Sequence, residues 1–431
     1  MLYYFLFSLH DVIPPFRVFR YITFRTAASY LTALGICLIL GPWLIRRLRE
    51  FQIGQQIREE GPSSHRAKAG TPTMGGLLIV IGILIPTVLW GDVTNYYVWI
   101  TVTATFLFGV VGFMDDYSKI SKKRSLGMTG KKKLFFQASI GLGICVALHY
   151  LSARGLYSTK LSVPFLKQFT PDMDLWNPLG LPLMLPLSFF VLFIVIASSN
   201  AVNLTDGLDG LASGCVIIAA AALTVLSYVT GHARLADYLG LVWNVYAAEL
   251  TIFCGAMVGA TMGFLWYNAH PAEVFMGDVG SLSLGGAIGT VAVLIKQEFL
   301  LPMIGGVFVL EALSVISAPP FRADGLERNK GSDPVLDRRH YFRTLQPDDI
   351  EVALMRQLQG VSDSSRLCVL AVNAAEPVFT TKTRRHKETQ VSWQQGRTKP
   401  LTKERRRWSW ARQGAALRQA NSCFHGGRAW C

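Results

Sequence analysis

Nine apolar segments, each long or nearly long enough to cross a bilayer, dominate the first 317 residues of this chain. A helix needs about 20 apolar residues to span the roughly 30 Å hydrocarbon core of a membrane. Backbone exposed to lipid must satisfy its own hydrogen bonds, so such segments form helices. The sequence therefore predicts an all-α, polytopic membrane protein. The predicted helices cover approximately 26–45, 74–90, 98–114, 134–151, 181–199, 211–229, 247–267, 281–295 and 299–317.

Composition and charge divide the chain into a membrane domain, residues 1–317, and a tail, residues 318–431. Hydrophobic residues make up 51% of the chain and charged residues only 16%, which favours a membrane protein. The membrane domain holds 21 Lys and Arg against 17 Asp and Glu, whereas the tail holds 21 against 11, so most of the net +14 lies in the tail. The tail has no further span and is expected to be disordered.

The basic residues of the short loops predict the orientation, because cytoplasmic loops are enriched in Lys and Arg. Seven basic residues lie between Lys119 and Lys133, and none lies in the loop 91–97. We therefore expect the first of these loops in the cytoplasm and the second outside. Alternation then predicts cytoplasmic loops at 46–73, 115–133, 200–210 and 268–280, with Lys296, Gln297 and Glu298 forming a short outer turn.

Acidic and amide side chains concentrate in three of these cytoplasmic loops. Asp115 and Asp116 end the third predicted span, where neighbouring like charges require a compensating cation; the alternative is a solvated helix end. Asn203, Asp206 and Asp209 recur at steps of three residues with glycines after both aspartates. Asp209 alone could instead be the N-cap of the sixth helix.

The third cluster precedes the eighth span and contains Asn268, His270, Glu273, Phe275 and Asp278. Taken singly, Asp278 could cap that helix and Phe275 could be an interfacial aromatic. A fourth loop, from Arg66 to Gly76, includes Thr73 and exposes backbone N–H groups at a helix start, which favour phosphate.

Together these loops provide oxygen ligands suited to Mg²⁺ and lysines suited to phosphate. The sequence has no Walker A motif, GxGxxG, HExxH or GxSxG, so the residues predict phosphoryl transfer without a P-loop. A site at the cytoplasmic face also implies one soluble and one lipid substrate.

The segments DDYSK from Asp115, NAVNLTDGLDGLA from Asn200 and NAHPAEVFMGDVGSLSLGG from Asn268 resemble motifs of the phospho-N-acetylmuramoyl-pentapeptide transferases, in the polyprenyl-phosphate N-acetylhexosamine-1-phosphate transferase superfamily (glycosyltransferase 4 family). The segments at Tyr21 and Gly70 also fit this branch. The resemblance implies transfer from UDP-N-acetylmuramoyl-pentapeptide to undecaprenyl phosphate, giving lipid I and UMP in peptidoglycan synthesis. It also implies ten spans, Mg²⁺ dependence, a homodimer, and a site on the cytoplasmic side of the bacterial inner membrane.

The resemblance assigns roles to individual positions. Asp278 matches the magnesium-binding aspartate, and Asp115 and Asp116 match a catalytic pair proposed to deprotonate the lipid phosphate or act as nucleophile. The positions matching substrate-binding residues are Lys119, Lys131, Lys133, Asn203, Asp206, Asp209, Asn268, Phe275 and Thr73.

The chain departs from the family after the ninth span. The family continues with an Ala-Pro-x-His-His-His motif and a tenth span, and residues 318–431 contain neither. The abrupt loss of hydropathy predicts a reading-frame change; a genuine basic extension and divergence are the alternatives. Without the histidines, full activity of this exact chain is not expected.

Three rival functions remain at the level of sequence. A sister transferase would use UDP-GlcNAc or another UDP-sugar with the same lipid. A transporter would use intramembrane charges such as Glu249 and Glu311. The segment Lys403 to Arg412 interleaves aromatic residues with cations and could tether nucleic acid or anionic lipid, although a solvated tail without a nucleic-acid partner is favoured.

Overall fold

The computed structural model describes residues 2–50, 71–121, 127–163, 171–172 and 185–317. These ranges are helical and contain no β-strand. We label their nine longer helices α1 to α9 in chain order. They are α1 (Ile22–Glu50), α2 (Gly76–Trp90), α3 (Tyr96–Ser121), α4 (Gly130–Ala153), α5 (Leu185–Thr205), α6 (Leu211–Gly231), α7 (Leu250–Asn268), α8 (Gly277–Leu294) and α9 (Gly306–Ser317). The tail, including Lys403 to Arg412, and the loop residues 122–126 lie outside the described residues.

The predicted polytopic all-α membrane fold is confirmed. Among the described residues, seven helical segments are long and apolar enough to span a membrane, and α2 and α9 are shorter apolar helices of 15 and 12 residues. The ninth predicted segment is divided at Gly305 into a turn of helix, Leu301–Ile304, and α9. Pro302 favours a helix start at this point, and consecutive glycines are poor helix formers, which explains the break.

Several helices extend beyond their predicted apolar spans, and three of them do so where the acidic and amide clusters lie. Helix α3 continues to Ser121, α5 continues to Thr205, and α8 begins at Gly277. Hydropathy marks where the apolar stretch ends, but a helix continues wherever its backbone bonds and side-chain packing are satisfied. The side chains of Asp115 and Asp116, of Asn203 and of Asp278 consequently lie on the ends of helices.

Helices α7 and α8 form the centre of the bundle and are buried on nearly all sides. Helix α7 packs against α1, α2 and α6, whereas α8 packs against α3 and α5. Small residues permit these close contacts. A Cβ at Gly76 would overlap the backbone of Gly280, and one at Gly112 would overlap the carbonyl oxygen of Asp278. These contacts hold α2 and α3 against the first turns of α8.

An ion pair joins α1 to the start of α7. It lies near the first residues of α3, whereas Asp115 lies near the other end of that helix. The Arg25 guanidinium donates to both carboxylate oxygens of Glu249 at 2.9 and 2.7 Å. Arg25 also donates to the carbonyl of Trp90, and Glu249 accepts from the backbone N–H of Asp92. Glu249 is therefore a structural partner of Arg25, which removes the main support for a transport path.

The predicted short turn at Lys296, Gln297 and Glu298 lies between α8 and the helical turn at Leu301, and all three residues are buried. The Lys296 Nζ lies 4.1 Å from the centre of the Tyr157 ring and 3.8 Å from Glu298 Oε1. Opposite charge and the aromatic face offset part of the desolvation of both ions. Polar residues at the end of this apolar segment are therefore not a sign that the chain becomes exposed to solvent there.

Candidate active site

The paired aspartates of α3 are buried in the protein. Asp115 and Asp116 are 4% and 2% exposed, which rules out a solvated helix end. Asp115 Oδ1 accepts the backbone N–H of Met128 at 2.7 Å, and Asp116 Oδ2 accepts that of Val279 at 3.3 Å. The second bond uses a free N–H at the start of α8, where the helix dipole also favours a carboxylate.

Asp278 lies in the first turn of α8 and faces the same point as this pair. Carboxylate oxygens of Asp115, Asp116 and Asp278 all lie within 4.8 Å of one another. The Asn203 side chain, at the end of α5, donates to Asp278 Oδ1 at 2.9 Å and to Ser281 Oγ at 2.8 Å. Helices α3, α5 and α8 therefore bring their polar ends to one place.

Two lysines partly neutralise the three carboxylates. Lys119 Nζ lies 2.7 Å from Asp115 Oδ2, 3.1 Å from Asp116 Oδ1 and 3.1 Å from Asp278 Oδ2. Lys133 Nζ lies 3.1 Å from the same Asp278 oxygen. Lys131 is exposed, and no described ion pair includes it. The predicted basic positions thus separate into two lysines within the cluster and one on the surface.

The donor set fits a hard divalent cation. Three carboxylates face two ammonium groups, so the cluster retains an excess negative charge, and Mg²⁺ prefers carboxylate oxygen ligands. Lys119 Nζ already lies where the three carboxylates converge, which shows that their geometry favours a cation at that point. Asp278, with Asp115 and Asp116 beside it, would hold the ion.

Gly277 connects this cluster to the loop that contains Thr73. Its φ is +73°, and a Cβ there would lie 2.5 Å from Asp116 Oδ2 and 2.9 Å from Thr73 Oγ1. Only glycine combines this left-handed backbone with so close an approach. Backbone hydrogen bonds from residues 72–76 to residues 275–276 fix the loop in place.

Asp206 lies in the turn between α5 and α6, beside the aspartate cluster. Burial raises the pKa of the Asp206 carboxyl well above its usual range, and the negative charges of Asp278 and Asp116 raise it further. The N–H of Gly277 donates to Asp206 and partly opposes this shift. A fourth carboxyl group thus adjoins the site in an environment that favours its protonated form.

Asp209 is not the N-cap of α6, because Gly210 occupies the cap position and makes no side-chain cap bond. Its carboxylate is 3.1 Å from His270 Nδ1 and accepts the backbone N–H of Ala272 at 3.4 Å. Asp209 consequently joins the turn after α5 to the loop before α8. His270 remains largely exposed.

Asn268 and Phe275 lie at the two ends of this loop. The buried Asn268 side chain accepts from Gly210 N and Ser213 Oγ and donates to the carbonyl of Val274. The backbone of Phe275 bonds to Pro72 and Gly75, and the residue is partly buried. Asn268 therefore shapes the loop through bonds within the protein, and Phe275 borders the site beside the Thr73 loop.

Comparisons with known proteins show the family of the chain. The family model described as glycosyl transferase family 4 matches residues 98–296, and phospho-N-acetylmuramoyl-pentapeptide-transferase signature 1 matches residues 68–80. The phospho-N-acetylmuramoyl-pentapeptide-transferase of Koribacter versatilis is 59% identical over 325 residues, which cover 73% of this chain and 86% of the relative. The chain belongs to the phospho-N-acetylmuramoyl-pentapeptide transferase family.

Further relatives of this transferase carry the same name. The Solibacter usitatus protein is 59% identical over 322 residues, covering 73% of this chain and 85% of the relative. The Desulfosudis oleivorans protein is 50% identical over 318 residues, covering 73% and 84%. The chain is therefore an enzyme of the phosphosugar transferase type in a bacterial membrane.

Several residues that border the aspartate cluster were not predicted from the sequence. Met128 contributes a backbone N–H, Gly127 packs against the Asp115 carboxylate, and Ser281 accepts from Asn203. Gly277 was visible only as a glycine before Asp278. Backbone donors leave no residue-type signal, so only the fold reveals them.

Proposed function

We infer that this transferase moves phospho-N-acetylmuramoyl-pentapeptide from its UDP conjugate to undecaprenyl phosphate, giving lipid I and UMP. We place the reaction at the cytoplasmic face of the bacterial inner membrane, as the first membrane step of peptidoglycan synthesis. The observation that carries the proposal is the convergence of Asp115, Asp116 and Asp278 with Lys119 and Lys133. Membership of the family supports UDP-N-acetylmuramoyl-pentapeptide as the donor. The predicted basic loop supports a site that faces the cytoplasm.

Charge neutralisation is the principal task in phosphoryl transfer. Mg²⁺ held by Asp278 would withdraw charge from the diphosphate. Lys133 contacts Asp278 at the edge of the cluster and is placed to pair with a nonbridging phosphate oxygen. Lys119, which contacts all three carboxylates, would pair with the diphosphate if a divalent cation were bound among them. Asn203 holds Asp278 in one rotamer through its hydrogen bond.

Either Asp115 or Asp116 acts as the general base or as the nucleophile of the reaction. In the direct route, the carboxylate accepts the proton of the lipid phosphate, whose oxygen then bonds to the phosphorus that carries the sugar. The bond from that phosphorus to the bridging oxygen breaks, and UMP leaves. In the two-step route, the carboxylate first bonds to this phosphorus and UMP leaves. The lipid phosphate oxygen then bonds to the phosphorus as its bond to the carboxylate breaks. Inversion at phosphorus marks the direct route and retention marks the two-step route.

The nucleoside is expected beside the turn after α5 and the loop before α8. Phe275 provides an aromatic surface for uracil. Asp206 and Asp209 provide hydrogen-bond acceptors or donors, and Asn268 holds the loop in shape. Thr73 adds a hydroxyl near Gly277 at the diphosphate side. The homodimer implied by the family is part of the same proposal.

Transfer by the purified full chain tests the donor. Incubation with undecaprenyl phosphate and UDP-N-acetylmuramoyl-pentapeptide should release UMP and form a lipid pyrophosphate. UDP-GlcNAc under the same conditions should give none, and product from UDP-GlcNAc alone would establish the sister transferase. Chelation should abolish UMP release, and Mg²⁺ should restore it. Release that is unaffected by chelation would contradict the metal assignment.

The missing histidine motif predicts a low rate for this exact chain. Replacing residues 318–431 with the corresponding C-terminal region of the Koribacter versatilis relative should raise the rate. The same replacement in an Asp278→Asn background is the matched control and should remain inactive. An equal rate with either C-terminus would show that the histidines are dispensable here.

A further inference from the structure

Two layers of polar contacts join α4 to α5 next to the aspartate cluster. In the first layer, Lys133 Nζ of α4 lies 3.4 Å from Asn203 Oδ1 of α5 and 3.1 Å from Asp278 Oδ2. The second layer lies one helical turn further along α4, where Gln137 meets Asn200 of α5. Residues four apart share one face of a helix, so the two layers lie on the same side of α4.

Gln137 is completely buried, and its side chain is hydrogen-bonded to α5. Asn200 Nδ2 donates to Gln137 Oε1 at 2.9 Å, and Gln137 Nε2 donates to Asn200 Oδ1 and to Ser199 Oγ, both at 3.4 Å. Ser199 Oγ in turn donates to the carbonyl oxygen of Leu282 in α8 at 3.2 Å. Gln137 thereby connects α4 through α5 to the central helix that carries Asp278.

The position of α4 relative to α8 depends on contacts of this kind. Helix α4 packs mainly against α3 and α5, and α5 packs against α8, so Lys133 reaches Asp278 from a more peripheral helix. A lysine side chain has many rotamers to lose, and it keeps one position only where its backbone is also held. Apolar packing is not directional, whereas a reciprocal amide pair has a fixed geometry and therefore favours one register between two helices.

We propose that Gln137 is a positioning residue for the transfer reaction, which fixes the register of α4 on α5 through its amide pair with Asn200 and so holds Lys133 beside Asp278. The role of Lys133 in pairing with phosphate is taken from the proposed function, on which this inference rests. An amide pair that only satisfied buried polar groups would contribute to stability, and its loss would leave Lys133 in place. The two cases differ in whether the surroundings of Lys133 change when the pair is removed.

Lysine labelling of the full chain tests the positioning without using the reaction. The Lys133 side chain is 16% exposed and paired with Asp278, whereas Lys131 is exposed. An amine-acylating reagent should therefore modify Lys131 faster in the unchanged protein. Gln137→Met keeps most of the side-chain volume and removes the amide, so labelling of Lys133 should become at least about threefold faster. Mass spectrometry measures both lysines, and an unchanged ratio between them would overturn the proposal.

A double-mutant cycle tests the consequence for transfer. Gln137→Met should lower kcat/KM about tenfold in the unchanged background, and less than about twofold in a Lys133→Gln background, because Gln137 acts through Lys133. Equal losses in the two backgrounds would show a merely structural role. Gln137→Asn, which is polar but one methylene shorter, serves as a second variant that preserves folding and should also lower kcat/KM. Adding Asn200→Gln restores the combined length and should recover the rate; no recovery would contradict the amide pairing.

Asn95→Leu is the matched control, because Asn95 is also a buried amide that joins two segments of the chain. Its Nδ2 donates to the carbonyl oxygen of Tyr246 at 2.9 Å, just before α3 and away from the aspartate cluster. This variant should melt at a lower temperature without changing Lys133 labelling or the rate per folded molecule. Changes as large as those in Gln137→Met would overturn the proposal. Faster Lys133 labelling in Gln137→Met, with no UMP release from the unchanged protein, would leave the positioning intact and refute the proposed function.

Discussion

Two buried charge clusters at opposite ends of α3 differ in how completely their charges are paired. Arg25 and Glu249 form a bidentate pair of one positive and one negative group. Each also bonds to a backbone group, although the buried Arg25 Nε makes no hydrogen bond. The cluster at the other end places Asp115, Asp116 and Asp278 around Lys119 and Lys133. In the first cluster each charge is paired with an opposite charge, and we call such a pair saturated. The second cluster retains negative charge and faces the loops.

This difference separates a structural ion pair from a site for chemistry. A saturated pair has little to offer a ligand, and removing one partner leaves an uncompensated buried charge. An incompletely neutralised cluster on rigid helix ends gains from binding a cation or an anionic substrate with its metal. Substitutions should therefore affect folding at the first cluster and the reaction at the second.

The largest expected effect is on the reaction rate of Asp278→Asn. This change keeps the side-chain shape but removes the charge at the centre of the cluster, so UMP release should fall roughly a thousandfold. Thermal unfolding in detergent should be unchanged or slightly improved, because three like charges become two. A rate within tenfold of the unchanged protein would refute the assignment.

Glu249→Gln should reverse this pattern. The buried Arg25 then lacks a counter-charge, and the free energy of unfolding should drop by about 3–5 kcal/mol. The rate per folded molecule should stay the same, because the pair lies at the far end of the bundle. Thermal unfolding and active-site titration measure the two quantities. The double variant Arg25→Met with Glu249→Met should recover most of the stability; a double variant no better than the single one would show a different role.

Neighbouring lysines provide a finer test within one helix end. Lys133→Gln removes a charge-assisted contact and should reduce kcat/KM about tenfold to a hundredfold. Lys131→Gln removes an exposed charge two residues earlier and should change kcat/KM by less than about twofold. Similar losses in both variants would indicate that the basic helix end acts through its overall charge.

The smallest expected effect is the pH dependence of stability at Asp206. Its folded pKa lies above the value of about 3.9 in an unfolded chain, so the folded protein retains a proton that the unfolded chain releases. The contribution of the Asp206 carboxyl to the free energy of unfolding is therefore fully present at low pH and is lost as pH rises through the raised pKa. Asp206→Asn should avoid this loss. Its melting temperature relative to the unchanged protein, measured with chelator present, should increase with pH above about 4; parallel curves would contradict this.

The identity of the residues in the candidate site was largely predictable from the sequence. Their three-dimensional arrangement was less predictable. Asp115, Asp116, Asn203 and Asp278 were predicted from clustering in loops, and the structure brings them together with Lys119 and Lys133. Lys131 was matched together with Lys133 to basic positions of the family, but helical geometry directs it to the surface. The sequence placed residues 296–298 in a turn, but it did not reveal their burial, because hydropathy records residue type and not the surrounding protein.

The sequence by itself determined the membrane-spanning helical class, since uninterrupted apolar segments have no other stable form in lipid. It also indicated the reaction family, because three of its motifs resemble those of one transferase family. Only the tertiary structure decided which charges are paired with an opposite charge and which remain available. This distinction depends on distances between helices far apart in the chain, which close packing of small residues fixes and which no local sequence pattern encodes.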